Sequence, residues 1–166
     1  MVEAADQGEF ERWYLATRNA LMGAAFLYVG NADEALDLTQ ETYARAWQHW
    51  EVVSRHANRD AWNRRVLHNL VVSRWRRLAL ESARAPSRTE EYHQLDVRDL
   101  DLARLVAGLS ANQRRAFVLH VVFDLTVDDV AQEMKAPPGT VRSWIHRART
   151  TLASQIESEA LLVTRR

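Results

Sequence analysis

Helical periodicity runs through almost the whole chain and constrains its fold more than any other feature. Apolar residues recur at three- and four-residue spacing, and no segment alternates apolar and polar residues as a strand would. Glycine and proline, which interrupt helices, number only 5 and 3 among the 166 residues. The sequence therefore predicts an all-α protein.

Two long helices and the boundary between them are readable in the first fifty residues. We expect a helix from about Glu9 to Val29 that ends at Gly30, because glycine favours helix C-termini. Asn31 is a suitable N-cap for a second helix, whose first turn carries Asp33 and Glu34 and whose outer face is acidic. The residues that we expect to face inward are Trp13, Leu21, Ala24, Ala25, Tyr28, Ala35, Leu38, Thr42, Ala46 and Trp50.

A third long helix follows a polar break at residues 54–60. Its spacing predicts that Trp62, Val66 and Leu70 face inward, together with Leu67 or Val71. Cations, amides and an indole on one helix are the mixture that proteins use to hold a single nucleic-acid strand by charge and stacking. The residues of that kind are Asn63, Arg64, His68, Asn69, Ser73, Arg74, Trp75, Arg76 and Arg77.

Tryptophan is abundant, with six residues in the chain. In a small helical protein most tryptophans belong to the core, and we expect this of Trp13, Trp47 and Trp62. We expect Trp75 and Trp144 to be exposed.

The middle of the chain predicts a linker. Residues 81–97 lose the apolar periodicity, contain Pro86 and are rich in Ser, Arg and Glu. We therefore expect two small helical domains, at residues 5–80 and 98–158, joined by a flexible linker.

Two capping signals and a tight turn organise the second domain. Ser110 with Gln113, and Thr126 with Asp129, form the pattern of helix N-termini. After the short helix that follows Thr126, the turn "KAPP" leads into a long basic helix. This order is typical of a helix-turn-helix.

The last helix combines an apolar stripe with a cationic face. The stripe, spaced to pack against the preceding helix, consists of Val141, Ile145, Ala148 and Leu152. Hydroxyl and guanidinium groups near a helix N-terminus suit phosphates and guanine edges in a major groove. The outward residues of this kind are Thr140, Arg142, Ser143, His146, Arg147 and Arg149.

Charge alternates along the chain although the formal net charge is zero. Residues 1–53 carry a net charge of −6 and residues 54–88 carry +7, while residues 89–133 carry −5 and residues 134–166 carry +4. This repetition suggests two modules, each with an anionic face for a protein partner and a cationic face for a polyanion. For any single charged run the alternative is ordinary solvated helix surface.

Composition excludes several classes of function. The absence of cysteine rules out disulfides, cysteine-based zinc sites and thiol catalysis. The six histidines show no metal-binding spacing, and there is neither a glycine-rich phosphate loop nor a paired histidine-carboxylate motif. We expect no metal, no cofactor and no enzymatic activity. With no long apolar run and no signal-like N-terminus, we also expect a cytoplasmic protein without membrane insertion.

Four ordered sequence blocks resemble the extracytoplasmic-function (group 4) bacterial sigma factors of the sigma-70 family. The blocks are "ADEALDLTQETYARAW", "AWNRRVLHNLVVSRWRR", "LSANQRRAFVLHVV" and "LTVDDVAQEMKAPPGTVRSWIHRARTTL", with the linker between the second and the third. The resemblance implies a sigma-2 and a sigma-4 domain that bind core RNA polymerase, through its β′ clamp helices and β flap, and direct it to promoter DNA. It also implies an anti-sigma factor as a further partner.

The same resemblance implies a role for particular residues. Those that would dock on the β′ clamp helices are Asp37, Gln40 and Glu41. The minus-10 element would be read and opened through His56, Asn58, Asn69, Ser73, Arg74, Arg76 and Arg77. The minus-35 element would be read as duplex DNA by Thr140, Arg142, Ser143, Trp144, His146, Arg147 and Arg149.

Two positions depart from the family's pattern. Family members usually have an aspartate where Ser73 stands, and often an arginine where Trp144 stands. We expect Trp144 to replace a phosphate or base contact by an apolar one, for example to a thymine methyl group, and so to alter promoter preference.

The alternative to a sigma factor is a stand-alone regulator with two domains that binds DNA as a dimer without polymerase. This alternative predicts that the protein self-associates and that the free protein binds duplex DNA tightly.

Overall fold

The computed structural model describes residues 4–82 and 97–164, and the side chains of residues 6–81 and 102–158. Every regular element in these ranges is an α-helix, which confirms the predicted fold class. The chain divides into two compact units, Met1–Leu95 and Asp96–Arg166. Most of the expected linker, residues 83–96, lies outside the described residues.

The first unit contains α1 (Ala4–Val29), α2 (Ala32–Gln48), the single turn α3 (Trp50–Val53) and α4 (Arg59–Ser82). Helix α1 ends at Gly30, which has a φ of +71° and donates its N–H to the carbonyl of Phe26 at 2.8 Å. Asn31 caps α2 by accepting a hydrogen bond from the N–H of Glu34 at 3.0 Å. Both boundaries are as predicted.

The core of this unit lies between α1, α2 and α4. The residues of α1 and α2 that were predicted to face inward are buried, except Leu38, which is half-buried. One end of this core is a group of rings whose centroids lie 4.8 to 6.4 Å apart, which we call the aromatic cluster. Its members are Phe10, Trp13, Tyr14, Tyr43, Trp47 and Trp50.

The inward stripe of α4 differs from the prediction. The residues expected inside are only half-buried: Trp62, Val66 and Leu70. The buried stripe consists of Asn63, Leu67 and Val71, at four-residue spacing. The buried side chain of Asn63 hydrogen-bonds the phenol of Tyr43, while its Oδ1 has no hydrogen-bond partner. A search for apolar stripes does not consider such a polar contact. Asn63 therefore belongs to the core and not to a strand-holding surface.

The tryptophans also depart from expectation. Trp13 and Trp50 are buried, whereas the other four are half-buried: Trp47, Trp62, Trp75 and Trp144. Trp47 contributes to the aromatic cluster at one end of the core, as predicted. Trp62 is less buried than predicted, and Trp75 and Trp144 are less exposed than predicted. An indole is large enough to touch the core with one edge and solvent with the other.

The second unit contains α5 (Val97–Ala107), α6 (Ala111–Val122), α7 (Val127–Met134) and α8 (Pro138–Thr164). Ser110 and Thr126 cap α6 and α7 as predicted, and the reciprocal capping box is found at Thr126. Ser110 accepts a hydrogen bond from the N–H of Gln113 at 3.4 Å. Thr126 and Asp129 bond reciprocally, each side chain to the other's backbone N–H at 3.1 Å.

A tight turn aims α8 away from α7. Lys135 ends α7 in the left-handed region, with a φ of +52°. Pro138 opens α8, at a position where the missing N–H costs nothing because it would lack an intrahelical partner. All four residues of the predicted apolar stripe of α8 are buried, and the first two pack in one cluster with Val130 and Ala131 of α7.

Candidate nucleic-acid interface

The packing of α8 against α7 leaves a cationic face exposed. Because the apolar stripe is buried, the polar side of the helix is directed outward. The exposed residues on it are Thr140, Arg142, His146, Arg147 and Arg149, and Ser143 is half-buried. Residues 138–156 contain no acidic side chain. No ion pair among the described residues involves Arg142, Arg147 or Arg149.

Trp144 lies at the edge of this face. Its ring packs against the cluster formed by α6, α7 and α8, which includes Leu119 and Ile145, and the side chain remains half-buried. The indole therefore has one side in the hydrophobic core and another at the surface. This position lets it pack against the core and also offer an apolar contact.

A second polar face lies on α4. Asn69, Ser73, Arg76 and Arg77 are exposed, and their spacing of four, three and one residues places them on one side of the helix. Arg76 and Arg77 form no ion pair among the described side chains. This face can attract phosphate groups and offers an amide and a hydroxyl beside them.

Arg74 is placed differently from its neighbours. Its guanidinium Nη2 bonds the carboxylate of Glu34 on α2, and the side chains are 22% and 20% exposed. The sequence grouped Arg74 with the strand-contacting residues, but the ion pair occupies its charge. The arrangement joins α4 to α2.

The segment between α3 and α4 forms an open polar recess of about 360 Å³, lined by Ser54 and residues 56–60. His56 and Asn58 are exposed at its surface. The Nδ1 of His56 accepts a hydrogen bond from the N–H of Asn58 at 3.1 Å. The Oδ1 of Asn58 accepts one from the N–H of Ala61 at 2.9 Å, so Asn58 caps α4 and keeps its NH2 group as a donor for a ligand.

The recess and the polar face of α4 are arranged along one helix. Asn58 precedes the first turn of α4, and Asn69 lies eleven residues further on, a distance of roughly 16 Å along the helix axis. Several nucleotides of an extended strand could follow this length. All seven predicted minus-10 residues lie on α4 or its preceding loop. Six of them are exposed, and Arg74 pairs with Glu34 of α2.

The predicted polymerase-binding residues share the outer face of α2. Asp37, Gln40 and Glu41 are all exposed, and Glu41 pairs with Arg45 at 2.8 Å. Leu36 lies beside them with 45% of its surface exposed. Leu36 is next to Asp37 in the sequence, but its exposure depends on how α2 packs and was not predicted.

The contacts of Arg59 and Asp60 were not predicted, because the sequence indicated only a polar break at these positions. Both contact α1: Arg59 pairs with Glu9 at 2.6 Å, and Asp60 accepts a hydrogen bond from the indole of Trp13 at 2.6 Å. No local pattern predicts these contacts, because the partners are nearly fifty residues apart.

Tyr43 in the core of the first unit has a raised pKa. Burial raises the pKa of Tyr43 to about 12, opposed by hydrogen bonds from Thr17 and Asn63.

Within the described ranges, no three His, Cys, Asp or Glu side chains stand close enough to hold a metal ion. None of the described helices is long and apolar enough to cross a membrane.

Two protein families match this chain. Residues 13–81 match the family described as Sigma-70 region 2, and residues 99–152 match Sigma-70, region 4. The first match spans α4 with its recess and the outer face of α2. The second spans the helix-turn-helix.

Relatives and solved structures are similar over nearly the whole chain. The ECF RNA polymerase sigma factor EcfG of Rhodopseudomonas palustris is 31% identical, over 84% of this chain and 81% of its own. The RNA polymerase sigma-E factor of Streptomyces avermitilis is 28% identical, over 92% and 88%. The sigma factor RpoE of Bartonella quintana, solved with the anti-sigma factor NepR, has a TM-score of 0.74 at 26% identity, over 90% of this chain and 97% of its own.

Proposed function

The chain belongs to the extracytoplasmic-function sigma factors of the sigma-70 family, and from this premise we propose which residues carry each part of its function. It is a sigma factor that binds core RNA polymerase, directs it to specific promoters and assists promoter melting when transcription begins. Matches to sigma-70 regions in both units favour this function over a stand-alone helix-turn-helix regulator.

We propose a sigma-2 domain at residues 5–80 and a sigma-4 domain at residues 98–158, with a linker at 81–97. The end of α4 at Ser82 and the start of α5 at Val97 support these boundaries.

The cationic face of α8 is the observation that carries the DNA-binding assignment. We propose that Thr140, Ser143, His146 and the arginines at 142, 147 and 149 contact the minus-35 element in the major groove. Guanidinium groups without an acidic partner are free to neutralise phosphates, which is the sequence-independent part of DNA affinity. Trp144 adds an apolar contact at the edge of this face.

The recess and the exposed face of α4 fit the minus-10 element. A base that leaves the duplex needs a pocket, and the strand around it needs cations and stacking surfaces. His56 and Asn58 would contact the base in the recess, while Asn69, Ser73, Arg76 and Arg77 follow the strand. Arg74 acts on this surface through its ion pair with Glu34, as a residue that positions α4.

The outer face of α2 is our candidate for the β′ clamp helices of the polymerase. Asp37, Gln40 and Glu41 provide charge and hydrogen bonds, and the exposed Leu36 provides an apolar contact beside them. The β flap would be contacted by the sigma-4 domain.

An anti-sigma factor is a further partner that we propose. The Bartonella quintana sigma factor was solved in complex with one, and it covers 90% of this chain. Because the chain is a transcription initiation factor, we propose that the polymerase, and not this protein, catalyses RNA synthesis. We also propose that the protein acts in the cytoplasm.

Charge reversal on α2 tests the polymerase assignment. Glu41→Lys combined with Asp37→Lys should abolish co-elution with core RNA polymerase, whereas Glu11→Lys, an exposed reversal on α1, should leave it intact. Equal co-elution of both variants would remove the α2 face from the proposed interface.

A further inference from the structure

We propose that Arg59 is a positioning residue for base selection. It ties the first turn of α4 to α1 and holds Ser54 and residues 56–58, which line the recess, in the shape that receives one minus-10 base. This inference rests on the function proposed for the recess. It adds a residue that acts by holding the other residues of the recess in place.

Arg59 is held from two sides. Its Nη1 donates to the Oε1 of Glu9 at 2.6 Å. Its guanidinium carbon lies 5.8 Å from the centre of the Trp13 ring and 5.9 Å from that of Trp50. A planar cation that stacks on aromatic rings and bonds a carboxylate has its orientation fixed as well as its charge.

The next residue strengthens this attachment. Asp60 accepts a hydrogen bond from the Nε1 of Trp13 at 2.6 Å, so both opening residues of α4 reach α1. The other end of the loop follows Trp50 and Val53, which are buried. The two ends of the recess are therefore attached to the same aromatic cluster.

The backbone between these ends is also bonded. The N–H of Ser54 donates to the carbonyl of Trp50 at 2.8 Å, and that of His56 donates to the carbonyl of Val53 at 3.1 Å. The N–H of Asn58 donates to the Nδ1 of His56. Attached ends and internal bonds leave the loop few alternative shapes, so a base enters a recess that is already formed.

Preorganisation of this kind affects selectivity more than binding. A loop that can rearrange accommodates several bases, whereas a fixed one rejects those whose groups do not match. Loosening Arg59 should therefore reduce the preference for the best base at one promoter position.

The test compares Arg59→Lys with Arg55→Lys in holoenzyme. The lysine introduced by Arg59→Lys keeps the charge for Glu9 but loses the planar group that stacks on both rings. Arg55, whose side chain is 78% exposed and pairs with Glu51 at 3.6 Å, is the matched control beside the recess. Initiation is measured on promoters that carry each of the four bases at each minus-10 position.

We expect Arg59→Lys to lower the ratio between the best and the worst base at one position by roughly three- to tenfold, the range of a modest misplacement in a specific site. Melting temperature and polymerase affinity should stay near those of the wild type, and Arg55→Lys should keep the full ratio. Glu9→Gln, which removes the ion pair without changing burial, should act in the same direction.

An unchanged ratio in Arg59→Lys overturns the inference. So does a uniform loss of initiation at all four bases together with weaker polymerase binding, because that is a purely structural effect. If the wild-type protein itself initiates at no specific promoter, the proposed function fails. Amide hydrogen exchange then tests separately whether Arg59 holds the loop in place. Faster exchange at Ser54 and His56 in Arg59→Lys supports it, and unchanged exchange overturns it.

Discussion

Glu34 on α2 and Arg74 on α4 form an ion pair between the helix that we assign to polymerase docking and the helix that we assign to minus-10 DNA. Both side chains are about four-fifths buried. The pair fixes the two functional faces of the first unit relative to each other, and it connects residues that are forty positions apart.

Removing this pair should cost stability. Arg74→Ala leaves the largely buried carboxylate of Glu34 without its partner, and we expect the free energy of unfolding to fall by about 1 to 2 kcal/mol, between the values for exposed and buried pairs. Arg76→Ala, at an exposed position on the same helix, should stay within about 0.5 kcal/mol of the wild type. Urea denaturation measures both, and equal effects would contradict the positioning role of Arg74.

The arginines of α8 should determine the salt dependence of promoter binding. Arg147→Ala removes one proposed phosphate contact, so the slope of log K against log salt concentration should become shallower by about 1. The measurement uses holoenzyme on promoter DNA over a series of salt concentrations. Arg18→Ala, an exposed arginine on α1, is the charge-matched control and should leave the slope unchanged.

Trp144→Arg tests the departure from the family's pattern. The substitution adds a cation to the DNA-facing side, so the salt slope should become steeper by about 1. It also removes a ring that packs against the cluster containing Leu119 and Ile145, and the free energy of unfolding should fall by about 1 to 3 kcal/mol. Trp144→Phe keeps an apolar ring without charge, and an altered salt slope in that variant would contradict the account.

The raised pKa of Tyr43 predicts that the free energy of unfolding falls at alkaline pH. Its pKa is raised to about 12 from 10.0, so the contribution of the neutral phenol is fully present below pH 10 and is lost as the pH rises towards 12. This difference between the two pKa values corresponds to about 2 to 3 kcal/mol in the free energy of unfolding. Urea unfolding at pH 9 and pH 12 measures this loss, which should be smaller in Tyr43→Phe. An equal loss in both proteins would assign it to other groups.

Sequence reasoning worked where a local rule decides the structure. Gly30, Asn31 and Thr126 define helix ends through their own backbone or side-chain chemistry, and each helix boundary lies where they place it. The apolar stripe of α8 was also predictable, because Val141 and Ile145 share a face of any helix. The same stripe determined the outward side of α8, and with it the candidate minus-35 face.

Reasoning from the sequence failed where distant side chains decide the outcome. Asn63 is buried and hydrogen-bonds Tyr43, a residue twenty positions earlier in the chain. Arg59 and Arg74 resemble the other arginines of α4 in sequence, yet Glu9 and Glu34 hold them in place. Charge counts along the chain cannot separate such paired cations from the unpaired ones, since the pairing depends on how the helices pack.

Whether this protein directs core RNA polymerase to promoters can be measured by transcription from fragmented genomic DNA, with and without the protein, followed by sequencing of the 5′ ends of the transcripts. We expect discrete new start sites that share two upstream motifs, and their loss when Arg147 and Arg149 are both changed to alanine. Transcription that stays at background, together with duplex binding by the free protein, would contradict a sigma factor and support a regulator that works without polymerase.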